Sequence, residues 1–138
     1  MTTPSGRNPA ETGPSDQVVY VVRGDHDDTR ESVEWFFREH GWSPRERGPG
    51  RVDYERGSRR RTILLGALAG RRFFLTAQIE IRERDHTTDV RYRWGAGAGL
   101  ALGGTVGRDR AARAHRETAA ALEKHLEADG RLVSTREI

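Results

Sequence analysis

Two neighbouring segments of the sequence alternate between apolar and polar residues, and this period of two constrains the fold more than any other feature. In residues 72–82 the odd positions, from Phe73 to Ile81, are all apolar, and the even positions are mostly polar. After a polar turn at residues 83–86, apolar or small residues at even positions 88–94 alternate with charged ones. Strands of this kind pair antiparallel, with one face buried and the other in water.

Three further segments are predicted as strands of the same sheet. Residues 17–23 (QVVYVVR) are apolar on both faces, which is typical of a strand inside a sheet. Residues 52–55 alternate in the same way as the first two segments, and residues 62–67 (TILLGA) read as a central apolar strand. Residues 43–50, rich in Pro, Gly and Arg, are predicted to form a loop.

Two segments have the 3.6-residue period of a helix. Asp28 followed by Glu31 predicts a capping box at the start of the first helix, which runs to about His40. Gly41 is suited to the left-handed position after that helix, so that Trp42 can fold back on its last turn. The second helix is predicted over residues 108–129, and its inward stripe consists of Ala111, His115, Ala119, Leu122 and Leu126.

These elements predict one α+β domain: a five-stranded antiparallel sheet with helices on one face, in the order strand, helix, four strands and long C-terminal helix. The domain is expected over residues 17–134. Residues 1–16 contain three prolines and no large apolar residue after Met1, which predicts a disordered N-terminal tail. Residues 135–138 are expected to form a short C-terminal tail.

This order of elements resembles the helix-grip arrangement. It is similar to the strand-helix-four-strand-helix unit in each half of the TATA-binding protein and to shortened START-type ligand-binding domains. The stretch from Thr88 to Leu126, in which a strand passes through glycines into a helix bearing Arg108 and Arg110, also looks like small bacterial domains of unassigned function. The resemblance covers about residues 17–130 and transfers no catalytic residue.

The composition excludes several classes of function. The sequence has no cysteine, which rules out disulfides, thiolate catalysis and zinc sites built on sulfur. No stretch reaches the ~20 apolar residues of a membrane-spanning helix, and no secretory signal is present, so a cytoplasmic protein is expected. The formal net charge is +3, and Lys124 is the only lysine among the 24 basic residues. We interpret this arginine bias as a property of a GC-rich genome.

The segment at residues 95–107 is rich in glycine, carries no charge and precedes a helix. Freed backbone amides together with Arg108, Arg110 and Arg113 could hold a phosphate or carboxylate there. The segment lacks the nucleotide-binding pattern, because Thr105 and Val106 stand where a P-loop requires Lys and Ser/Thr. A connection whose glycines let the chain leave the sheet and cross its face is therefore the favoured reading.

Other polar clusters have equally plain explanations. The acidic residues around His26 lack the spacing of a calcium loop and suit a turn that caps a helix, so no metal is predicted. No cofactor motif is found. The arginines on the polar sheet face are diluted by acidic residues and lack interleaved aromatic rings, which makes nucleic acid an unlikely partner.

The predicted inner face is rich in aromatic residues opposite an alanine-lined helix. This predicts a non-enzymatic binding module for a small hydrophobic ligand or a protein partner. The expected ligand-contacting residues are Tyr20, Phe37, Tyr54, Phe73, Tyr92, Trp94, His115 and Leu122.

Two alternatives remain open. The first is a small cyclase-, isomerase- or hydrolase-like enzyme that uses His115, Tyr92 and Tyr54 in the same cavity, although no catalytic residue is assigned. The second is an accessory subunit that self-associates, for example as a homodimer, through a sheet edge or through the segment holding Leu100 and Leu102.

Overall fold

The structure, a computed structural model, describes residues 16–57, 75–95 and 105–137; within the last range, side chains are described from Asp109 onward. The strands are β1 (Gln17–Arg23), β2 (Ser43–Gly48), β3 (Arg51–Arg56), β4 (Leu75–Glu83), β5 (Thr87–Arg93) and β6 (Leu132–Glu137). The helices are α1 (His26–Glu39) and α2 (Thr105–Ala128). Neither of these helices has the length and apolar character needed to cross a membrane.

The described strands form one antiparallel sheet in the order β2-β3-β4-β5-β1-β6. The α+β class and the antiparallel sheet are confirmed, but the prediction of five strands is wrong, because the sheet has six. The predicted element order is also wrong at its end, since β6 follows the long helix. The predicted strand at residues 62–67 lies outside the described residues.

The two strands that the sequence did not predict are the edge strands. Residues 43–48, expected in a loop, pair with β3 as β2, although none of them is a large apolar residue. Residues 135–137, expected in a tail, pair with β1 as part of β6. An edge strand is held by backbone hydrogen bonds to one neighbour, so it can form without an apolar alternation.

Both helices cover the same face of the sheet. The alternation predicted for β4 and β5 is confirmed: Val52, Ile79, Tyr92 and Val18 are successive partners across four strands, and all are buried. The inward stripe of α2 is also as predicted, with Ala111, His115, Ala119, Leu122 and Leu126 all buried. The Tyr20 hydroxyl donates a 2.6 Å hydrogen bond to the Ala119 carbonyl and ties α2 to β1.

The start of α1 differs from the prediction, whereas its end agrees. The N-cap is Asp25, not Asp28: the Asp25 carboxylate accepts a 2.8 Å hydrogen bond from the Asp28 amide. The Asp28 side chain lies in the first turn, where a negative charge also favours the helix. At the other end, Gly41 has φ +84° and the Trp42 amide donates to the Phe37 carbonyl at 2.9 Å, so Trp42 folds back as predicted.

The tight turn between β2 and β3 depends on a glycine. Gly50 has φ +72°, and a Cβ atom at this position would lie 2.8 Å from the Ile81 carbonyl oxygen of β4. The Ile81 amide donates to the Gly50 carbonyl at 2.8 Å, which fixes the turn against β4. Both the backbone conformation and the close approach therefore require glycine.

We predict that Gly50→Ala destabilises the fold more than Gly41→Ala. Both substitutions place a side chain in the left-handed region, at a cost of about 1–2 kcal/mol each. Gly41 has open space around it, whereas Gly50 adds the collision with Ile81, which we expect to cost roughly 1–3 kcal/mol more. Urea unfolding of the two variants measures the difference. Equal losses of stability would show that the turn can move away from β4.

Candidate functional site

The described residues bring one polar-aromatic cluster together beneath α2, at the end of the sheet where β3 and β5 end. It consists of Trp42, Arg56, Tyr92, Trp94 and His115, and we call it the His115 cluster. The even-numbered positions of β3 and β5 place Arg56, Tyr92 and Trp94 on the inner side of the sheet. The backward fold of the chain after Gly41 brings in Trp42.

His115 is enclosed by aromatic rings. Its Nδ1 atom shares a 2.8 Å hydrogen bond with the Tyr92 hydroxyl. The Trp94 indole stacks on the imidazole with 5.4 Å between ring centres and 5° between planes, and Trp42 lies 6.0 Å away. Only 2% of His115 is exposed. The imidazole is therefore a buried polar group that is held in one orientation by its neighbours.

Burial decides the protonation of the cluster. Desolvation, assisted by the positive charge of Arg56, lowers the pKa of His115 from 6.5 to about 3. Desolvation also raises the pKa of the Tyr92 hydroxyl far above its usual range. Both groups are thus neutral at pH 7, and neither pKa lies near the pH at which a general acid or base is most effective.

Two hydrogen-bond donors of the cluster have no partner among the described residues. Trp42 is 2% exposed and its Nε1 atom is buried, yet the described structure offers it no acceptor. The Nε atom of Arg56 is buried and equally unpaired, and the Arg56 guanidinium carbon lies 4.9 Å from the centre of the Trp42 ring. The other two unpaired buried atoms, the hydroxyls of Thr29 and Thr135, lie apart from this cluster on α1 and β6.

The structure gathers only part of the predicted ligand set. Tyr92, Trp94 and His115 are in direct contact, and Phe37 joins them 6.0 Å from Tyr92. Tyr54 stacks on the other side of Phe37 at 4.3 Å. Tyr20 and Leu122 are fully buried core residues, and Phe73 lies outside the described residues.

The predicted anion-binding arginines lie on the N-terminal part of α2. Arg110 and Arg113 are exposed on α2. Arg108 is in the helix, but its side chain is not described. The helix begins at Thr105, three residues before the predicted start.

Sequence reasoning missed Trp42 and Arg56 as members of the site. Trp42 was predicted only to fold back on the last turn of the first helix. Arg56 continues the even-numbered inner positions of Val52 and Tyr54, so the alternation of β3 contained a usable signal. The prediction named the alternation of residues 52–55 and did not extend it to Arg56.

A second cluster, at the joint between α1 and α2, has the residue types of a hydrolytic triad but not the geometry. The Ser32 hydroxyl donates to the Asp129 carboxylate at 2.8 Å. His125 Nε2 lies 2.9 Å from that hydroxyl and 3.2 Å from the Ser32 carbonyl oxygen, which can only accept. His125 Nε2 therefore carries the proton and donates, so it cannot act as a base toward Ser32. Trp35 stacks on His125 from the solvent side, and we interpret the cluster as a helix-helix contact.

The outer face of the sheet carries a shallow depression of about 310 Å³. Its charged lining is largely paired: Glu80 contacts Arg82 and Arg91, and Asp53 contacts Arg47. None of the described residues that line it is aromatic. Within the described residues there is also no group of three or more His, Asp or Glu side chains arranged to hold a metal ion.

Comparison of the sequence with models of known protein families gives no match, and comparison with curated proteins gives no significant match.

We predict that His115 makes the protein less stable in acid. In the unfolded chain a histidine takes up a proton near pH 6.5, whereas the folded state resists protonation down to about pH 3. Between these values the unfolded state binds more protons than the folded state. The free energy of unfolding therefore decreases as the pH is lowered, by up to about 1.4 kcal/mol per pH unit.

The measurement is urea unfolding at several pH values between 7 and 4. His115→Gln should flatten the slope of stability against pH. His86→Gln, in the exposed turn between β4 and β5, should retain it. Parallel slopes for wild type and His115→Gln would contradict the prediction, because they would mean that folding does not lower the pKa of His115.

Proposed function

We propose that this protein is a non-enzymatic binding module of the helix-grip type, which holds a small, largely hydrophobic ligand between the sheet and α2. The His115 cluster supports this proposal best, because it combines aromatic walls with two buried donors for which the described part of the chain provides no acceptor. A few polar groups on an otherwise apolar wall are typical of small-molecule sites. The turn of α2 before His115 presents only small side chains to the site, those of Ala111 and Ala114.

The protonation of the cluster favours binding over catalysis. A neutral imidazole with a low pKa and a neutral phenol with a high pKa are poorly suited to proton transfer at neutral pH. Their mutual hydrogen bond instead fixes the orientation of both rings. The burial of the unpaired donors also favours a small ligand over a protein surface, since a folded partner cannot reach them.

The proposal is tested with four probes: naphthoic acid, naphthylmethanol, decanoic acid and decanol. At least one should raise the melting temperature in a saturable way and give a one-to-one complex in native mass spectrometry. Ala111→Leu should fill the site and abolish the shift. Ala120→Leu, on the exposed side of the same helix, should leave it unchanged.

Two results would contradict the proposal. The first is the absence of a shift with all four probes. The second is a loss of roughly 1–3 kcal/mol of stability in Ala111→Leu, the usual cost of overpacking, which would show that the space under α2 is already filled.

Self-association through β6 is the second candidate function, and the contrast between the two sheet edges favours it. The β2 edge contains Pro44 and three consecutive charged residues, which discourage pairing with another strand. The β6 edge has no proline, and Val133 on it is 48% exposed. The charged residues of β6, Arg136 and Glu137, lie at its end, so the uncharged residues 132–135 can pair with the same edge of a second copy.

We expect sedimentation equilibrium to show a concentration-dependent dimer for the wild type. Val133→Lys should shift the equilibrium to monomer, because a charge on an edge strand opposes pairing. Ser43→Lys, on the β2 edge, is the matched control and should remain dimeric. A wild-type protein that is monomeric at the highest concentration would rule out this function.

A further inference from the structure

We propose that the ligand of the His115 cluster is an acid, whose carboxylate or similar anionic group binds between Arg56 and Trp42. This inference rests on the proposed function and specifies the chemical class of its ligand. It depends on the placement of one arginine, Arg56, and one indole, Trp42.

Arg56 brings a positive charge to the inner face without a counter-charge. Other arginines of the neighbouring strands contact carboxylates, including Arg45 with Glu55, Arg47 with Asp53 and Arg91 with Glu80. No carboxylate within the described residues contacts Arg56. Its guanidinium lies on the Trp42 ring, which supplies a cation-π contact but accepts no hydrogen bond at Nε. A partly buried arginine of this kind is stabilised by an anion that its planar fork can bind in two places.

Trp42 supplies the second donor at the same place. Its Nε1 atom can only donate, and a buried donor without an acceptor is unfavourable. The Arg56 guanidinium carbon is 4.9 Å from the Trp42 ring centre, so the two unpaired donors are close enough for the two oxygens of one carboxylate to accept one hydrogen bond each. A neutral alcohol offers a single oxygen and no charge, so it satisfies this pair less well.

The rest of the cluster suits the apolar part of the same molecule. His115 and Trp94 form a flat stacked pair, and Trp42 lies 6.0 Å from His115. No carboxylate enters the cluster in the described structure, so nothing there repels an anion. The ligand class is therefore an apolar or aromatic carboxylic acid, with its acidic group toward Arg56 and its apolar body along the rings.

The experiment compares each acid with the alcohol of the same carbon frame by isothermal titration calorimetry at fixed pH and salt. The pairs are naphthoic acid with naphthylmethanol and decanoic acid with decanol. Charge-assisted hydrogen bonds predict that wild-type protein binds each acid about 10- to 100-fold more tightly than its alcohol. Arg56→Gln should remove most of this preference and change the affinity for the alcohol by less than about threefold.

Two further variants keep the test independent of folding defects in Arg56→Gln. Trp42→Phe retains an aromatic ring but lacks the donor, and should weaken acid binding about 3- to 10-fold. Arg51→Gln removes an exposed arginine from the other face of β3 and should leave the preference for acids intact.

The outcomes separate this inference from the proposed function. If acid and alcohol bind wild-type protein equally well, the acidic ligand is ruled out and the binding module stands. If Arg51→Gln weakens acid binding as much as Arg56→Gln does, general charge attraction explains the preference, and the assignment to Arg56 is overturned. If no probe binds at all, the proposed function fails together with this inference.

Discussion

The burial of one face of the sheet beneath two helices is the constraint on which the rest of the structure depends. The even positions of β1, β3 and β5 and the odd positions of β4 face α1 and α2. A shift of one residue in any pairing would move apolar side chains to the solvent-exposed face of the sheet. This fixed register determines what can lie at each inner position. Val52 and Tyr54 of β3 and the inward stripe of α2 can be buried only in this register. The same register places Arg56 and His115 on the inner side.

The sequence predicted the parts of the fold whose signal is carried by side chains. The alternation in β4 and β5 and the stripe of α2 were readable because burial imposes a period on the residues themselves. The edge strands were not readable, because β2 has the composition of a loop and is held by backbone hydrogen bonds to β3. The N-cap was misplaced for a similar reason: Asp25 and Asp28 are both good caps, and only the path of the chain after β1 selects between them.

The candidate site shows the same limit. Tyr92, Trp94 and His115 were predicted to lie together, because each belongs to an element with a clear buried face. Trp42 comes from a turn, and its position depends on how the chain folds back onto α1. Arg56 followed the period of its strand but contradicted the expectation for its residue type. The alternation of β3 alone therefore locates Arg56 on the inner face, whereas its residue type points to the outer one.

The position of β1 within the sheet has a consequence for how the chain folds. β1 is the first of the described strands, yet its neighbours are β5 and β6, which contain residues 87–93 and 132–137. Its pairing must therefore wait for chain that is synthesised much later, and closing such long loops slows folding. During synthesis β1 exposes an apolar segment with both edges unpaired, while the hairpin of β2 and β3 can form locally. The pairing of β1 consequently spans the longest sequence separations in the described sheet.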